Sequence, residues 1–263
     1  MIRRLTKIGF VFIGIVLVAG GSARADEIAK MTRIVSSMGH DAPSFATLRR
    51  ACDADALCVA KFLRDRIGDG AELVPQDSPA KKSRGWQKAE PAFTSALVDD
   101  SRTLVLVLSR FDAGAVLKVV AKLAATPTRI VLDVRAMEEG VDMDGMRRMV
   151  SLFMGHKKRA FQIRYATGKN VDWRIPTPSK LIGMDHIEVL VGPKTNADGE
   201  VFAMLLQKHA RAEIKGERTL ARGFILETIP VMHGWILNVP RARVHIPELD
   251  IENGVSPTVV VPE

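Results

Sequence analysis

What constrains this chain most is an alternation, across residues 104–209, of short uninterrupted apolar runs with segments of helical period. Residues 104–108 and 130–134 are strand-length runs, and between them Asp112 precedes Val116, Val120, Leu123 and Ala124 at helical spacing. A short polar side chain ahead of such a segment can accept the free N–H groups of a first turn, so the spacing predicts a capped helix between two strands, a βαβ unit. Asp142 stands in the same relation to Met146, Met149, Val150 and Phe153. Strand patterns follow at 160–165, 171–175 and 187–191. After the Gly192-Pro193 turn a helix is expected over about 196–209. Ile214 leads into a Gly216-Glu217 turn, and short strands at 224–226, 235–239 and 241–245 complete an α/β core.

The first residues address the compartment. Arg3, Arg4 and Lys7 precede an apolar run over 8–20, and Ala23-Arg24-Ala25 supplies small residues for cleavage. This is the layout of a secretory signal peptide cut after Ala25, and it predicts a periplasmic or secreted protein. The run is shorter than the roughly 20 residues of a membrane span, so membrane contact is expected only through this segment if it is left uncleaved. No cysteine follows, so a lipoprotein anchor is not indicated. Residues 1–25 carry four basic residues and no acid, so their removal lowers the formal charge from +8 to +4. With a single tyrosine and no basic cluster interleaved with aromatics, nucleic acid is not an expected partner.

Before the core, Phe45, Leu48 and Cys52, then Val59, Phe62, Leu63 and Ile67, mark two short helices. Cys52 and Cys58 are the only cysteines, and an oxidising compartment would join them. Residues six apart on a straight helix are too distant for a disulfide, so Asp53-Ala54-Asp55 must break the helix between them. Gly68-Asp69-Gly70 ends the second helix, and linker composition follows. The expected organisation is a signal peptide over 1–25, a small helical segment over 26–74, a linker over 75–100 and a core domain over 101–263.

Several stretches of the core resemble a known family. They are Val107-Leu108-Ser109-Arg110-Phe111, then Arg129-Ile130-Val131-Leu132-Asp133-Val134-Arg135, and above all residues 187–223. In that last stretch Val189-Leu190-Val191, Thr195, Glu200-Val201, Ala203, Gln207, Arg211, Gly216-Glu217, Thr219 and Gly223 fall in register without a gap. Glu227-Thr228-Ile229-Pro230 and Asn253-Gly254-Val255-Ser256-Pro257 match the closing strands. From about Arg102 to Glu263 the chain thus resembles the S41 peptidases, the tail-specific and C-terminal processing proteases. The resemblance implies a ClpP/crotonase-like spiral of ββα units, preceded here by the small α-helical segment. The PDZ module usual in the family has no counterpart in the sequence.

The resemblance also implies where the chemistry would sit. The family's nucleophilic serine opens a Ser-Ala-Ser-Glu turn, and the same register here reads Ala197-Asp198-Gly199-Glu200. A methyl group cannot attack a carbonyl. The family's general base is a lysine, and Arg222 occupies its place. A guanidinium stays protonated below about pH 12 and cannot take the serine proton. Leu226 stands where some members carry a glutamine that orients the lysine. The glycine-rich oxyanion turn reads Ala136-Met137-Glu138-Glu139, with only Gly140 retained. Carboxylates beside a developing oxyanion would oppose it.

These departures predict a pseudoprotease that binds a peptide or protein partner in the cell envelope through Thr195, Asp198, Glu200 and Arg222. Arg222 either accepts a peptide carboxylate bidentately or pairs internally with Asp198, Glu200 or Glu138. A hydrolase with relocated residues is the alternative, with Thr195 beside Lys194 as its nucleophile, although a threonine there also reads as a helix cap. A purely structural envelope protein is a third reading. The six histidines are dispersed without metal spacing. Glu138, Glu139, Asp142 and Asp144 lack the spacing of a calcium loop and read as a solvated turn with a cap. No cofactor or metal is expected.

Overall fold

A computed structural model describes residues 12–53, 55–68, 70–75, 92–98, 102–123, 127–137, 142–154, 159–178, 182–220, 223–231 and 234–260, the side chains of 12–24, 45, 49, 95–98 and 159 excepted. In chain order the elements begin with α1 (Phe12–Ser37), α2 (Phe45–Cys52), α3 (Ala56–Ile67), β1 (Glu72–Pro75), β2 (Phe93–Val98) and β3 (Thr103–Leu108). Next come α4 (Ala113–Lys122), β4 (Arg129–Asp133), α5 (Met143–Ser151), β5 (Arg159–Tyr165), β6 (Asn170–Arg174) and β7 (His186–Val191). The last are α6 (Ala197–Ala210), β8 (Glu213–Gly216), β9 (Phe224–Val231), β10 (Trp235–His245) and β11 (Val259–Val260). They form two compact units, the first of residues 1–82, 165–168 and 226–241, the second of the remainder.

In the first unit Ile28, Met31, Val35 and Met38 line one side of α1 and the turn after it. They share a core with Leu48 and Cys52 of α2, Val59, Ala60 and Leu63 of α3, and Ile229, Val231, Leu237 and Val239. Each fully buried side chain of this size contributes about 1.5–3 kcal/mol, so the helices are held by this apolar face and not by propensity alone. The residues at 226–241, read from sequence as strands of the core domain, therefore help to hold the helical segment.

The expected break between the cysteines is present. Asp53 ends α2 in the left-handed region (φ +46°), and the Asp55 carboxylate opens α3 by accepting the Leu57 and Cys58 N–H groups at 2.8 and 3.3 Å. That bend brings the Cys52 and Cys58 Cα atoms to 5.5 Å, and the disulfide closes there. β1 pairs antiparallel with β10, Glu72 opposite Asn238 and Pro75 opposite Trp235. Among the described residues no helix is long and apolar enough to cross a membrane.

The second unit is built on a six-stranded sheet in the order β11-β8-β7-β4-β3-β2, parallel except for β2. Leu104, Leu106, Leu108, Ile130, Leu132, Val189, Val191 and Ile214 are buried, as uninterrupted apolar runs require. Both predicted aspartate caps are in place: Asp112 accepts from Ala115 N–H at 2.9 Å and Asp142 from Gly145 N–H at 2.8 Å. α6 is buried from Ala197 to Leu206, a helix apolar on nearly all sides and hence central.

Several elements differ from expectation. The stretch assigned to a linker contains β2, paired in register with β3 from Phe93–Leu108 to Val98–Thr103. The two short strands expected on either side of Pro240 are one continuous β10, since proline tolerates extended backbone and forfeits only its own N–H. His40 donates through Nε2 to the Pro240 carbonyl at 2.5 Å. Finally, β9 runs to Val231 instead of stopping near Leu226.

Candidate functional site

The site grows out of the turn between β7 and α6. Thr195 N–H donates to the Gly192 carbonyl, and Gly192 N–H donates to Thr195 Oγ1, both at 2.9 Å. Thr195 is 1% exposed and closes this turn. It is not the helix cap that its position suggested. Asn196 caps α6, its side chain accepting from Gly199 N–H at 2.8 Å, because the cap must reach the amide three residues on.

Ala197 is the first residue of α6 and is 9% exposed. Asp198 follows, 2% exposed, with Oδ2 accepting the Asp142 N–H at 2.5 Å. Its Oδ1 is buried with no hydrogen-bond partner among the described residues. Burial pushes the Asp198 carboxyl up to about 6; the Asp142 amide pulls it down and the Asp142 carboxylate adds to the rise. A helix N-terminus favours an anion, but here desolvation outweighs it.

Glu200, one turn further into α6 than Asn196, is fully buried. It accepts from the Thr219 hydroxyl and from Gly223 N–H, the latter at 2.6 Å. Thr219 in turn accepts from Val255 N–H at 2.8 Å and donates its own N–H to the Val255 carbonyl at 3.1 Å. Gly254 lies against this knot at φ +74°, where a Cβ would fall 2.3 Å from the Thr219 carbonyl oxygen. Only glycine fits there. The start of α6, the 219–223 segment and the closing Asn253–Pro257 motif are thus tied at one carboxylate.

The end of β4 meets the same place. A Cβ on Gly199 would lie 3.5 Å from Val134 Cβ and 2.8 Å from Thr195 Cγ2. Asp133 accepts from the Arg135 N–H and Nε–H at 3.0 Å and pairs with Nη2 at 2.8 Å, turning the chain outward to an exposed Ala136. Of the sequence-predicted residues, Thr195, Ala197, Asp198 and Glu200 stand together in and before the first turns of α6. Arg222, Glu138, Glu139 and Gly140 lie outside the described residues. Leu226 is in β9, 39% exposed, in the first unit. The sequence reading missed Asn196 as the cap and the Asp142 amide as a partner of Asp198. Asn196 carried a local signal, a capping side chain three residues before Gly199; the Asp142–Asp198 contact carried none.

In the acidic cluster, Asp144 pairs with Arg147 and Arg148, which hold its carboxyl below the usual range, while Asp142 serves its cap. Among the described residues no group of three or more His, Cys, Asp or Glu side chains could hold a metal ion.

This strand-turn-helix site sits on a largely parallel sheet. The model of peptidase family S41 matches residues 102–261, and the chain belongs to that family. Among solved structures it is similar to a protein of Parabacteroides merdae ATCC 43184 described as a candidate peptidase, at 12% identity and TM-score 0.60, over 90% of this chain and 89% of that one. It is also similar to a lipoprotein of Streptococcus agalactiae, at 13% identity and TM-score 0.59, over 90% and 92%. The photosystem II D1 C-terminal processing protease aligns at 22% identity and TM-score 0.48, over 73% of this chain and 47% of that one. No curated protein matches the chain in sequence.

Proposed function

We propose that this chain is a non-catalytic S41 protein of the periplasm or the secreted fraction that holds a peptide or protein partner at the start of α6. The observation that carries the reading is Ala197 as the first residue of α6, in the register where the family has its nucleophile. With arginine at 222 in the register of the base, neither an attacking oxygen nor a neutral proton acceptor is supplied. Residues that hold the framework are retained: Glu200, Thr219, Gly223 and Gly254 form the buried knot described above. Arg222 falls between two of its members and supplies a fixed positive charge for a peptide carboxylate.

The relocated-nucleophile alternative rests on Thr195, and burial together with its turn hydrogen bond weighs against it. Thr195 Oγ1 already accepts the Gly192 amide, and a substrate carbonyl would have to reach a residue sealed from solvent.

The test is proteolysis of an unfolded reporter by the wild type beside Ala197→Ser, Arg222→Lys. The wild type is expected to be silent; any turnover by it would overturn the reading, and turnover lost in Thr195→Ala would establish the relocated nucleophile instead. Peptide-array binding that is weakened by Arg222→Ala is expected, and binding indifferent to that change would remove the carboxylate from the proposal. Fractionation of cells should place the protein outside the cytoplasm.

A further inference from the structure

Two buried acids stand in the first turns of α6, and the knot around Glu200 leaves Asp198 unexplained. Asp198 is 2% exposed, bonded at Oδ2 to the Asp142 amide and unpartnered at Oδ1 among the described residues. As a carboxylate it keeps a charge-assisted bond to that amide but leaves Oδ1 desolvated without compensation. As a neutral acid it loses the charge while one oxygen still accepts the same N–H. Asp142 is no passive donor: it is the N-cap of α5, and its own carboxylate is committed to Gly145 N–H. Two helix starts therefore meet at one titratable group.

We propose that Asp198 is a proton-operated latch between the start of α6 and the start of α5, drawing the two together when protonated and loosening their junction when ionised. The proposal rests on the reading above only in taking this junction as part of the binding site; the latch itself needs no ligand. Other charged groups on the surrounding elements are engaged elsewhere. Asp133 pairs with Arg135, Asp144 with Arg147 and Arg148, and Glu200 holds Thr219 and Gly223. Asp142 is the charged group among the described residues that acts on Asp198, and its charge raises the Asp198 carboxyl further. Glu138, Glu139 and Arg222 lie outside the described residues. Since burial lifts this carboxyl to about 6, above the ordinary 3.8, the folded state binds the proton more tightly than the unfolded chain does. The stabilisation is complete below the ordinary carboxylate value and is lost as the pH rises through about 6.

The experiment follows the Asp142 amide by nitrogen-edited NMR in the full chain between pH 4.5 and 8. Its shift is expected to titrate with a midpoint near 6. Its exchange protection, corrected for the intrinsic pH dependence of exchange, should fall roughly tenfold above that midpoint. In Asp198→Asn, which keeps an acceptor for the amide without a charge, both profiles should be flat at the acid-side value. A titration that persists in Asp198→Asn overturns the proposal. So does a wild-type midpoint at the ordinary carboxylate value, read directly from the carbon-13 shift of the Asp198 carboxyl, which keeps the test decisive if the variant fails to fold. If the latch titrates as expected but no peptide binds at any pH, the binding reading falls and the latch stands. Peptide binding whose affinity changes with pH identically in wild type and Asp198→Asn refutes the latch and leaves the binding reading intact.

Discussion

Asp198 and Glu200 are two residues apart on one helix, equally sealed from water, and they do opposite things. Glu200 faces the 219–223 segment, which offers it a hydroxyl and an amide, and its carboxyl group is the tie that holds three chain segments together. Asp198 faces the start of α5, which offers one amide and a second carboxylate, and there ionisation works against the fold. Burial sets only the magnitude of a carboxylate's effect; the donors on the facing element set its sign.

The largest effect expected from breaking this comparison is on the Glu200 side. Glu200→Ala strands the Thr219 hydroxyl and the Gly223 amide and opens a cavity, and should cost about 4 kcal/mol in chemical denaturation. A loss under about 1 kcal/mol would mean that the knot is held from elsewhere. Thr219→Val keeps the shape but removes one donor to Glu200 and the acceptor for Val255 N–H, and should cost about 2 kcal/mol. The smallest effect is the most diagnostic in sign. Asp198→Asn should stabilise the protein by about 1–2 kcal/mol at pH 7.5, with the difference shrinking toward zero at pH 4.5. Destabilisation at pH 7.5 would place Asp198 in the same class as Glu200 and erase the contrast.

Much of the fold was legible because its signals are local. Uninterrupted apolar runs at 104–108, 130–134 and 187–191 read as buried strands, and Asp112 and Asp142 read as caps; a capping side chain acts within three residues. The cysteine spacing demanded a helix break, and Asp53 in the left-handed region provides it. Reading failed where the deciding partner is remote or the local signal is shared. β2 hid in linker-like composition because its pairing with β3 is what makes it a strand. Thr195 and Asn196 are both capping residues by type, and only the turn back to Gly192 assigns the threonine elsewhere.

The sequence by itself determined the α/β order, the two aspartate caps and the cysteine pair, since each depends on residue type and short spacing. Tertiary structure alone decided that residues 226–241 share a core with the N-terminal helices, that Glu200 accepts from Thr219 and Gly223, and that Asp198 meets the amide of Asp142 across a separation of 56 residues. The free energy of a buried charge is set by donors brought from distant chain segments, and no short-range pattern encodes which donors those will be.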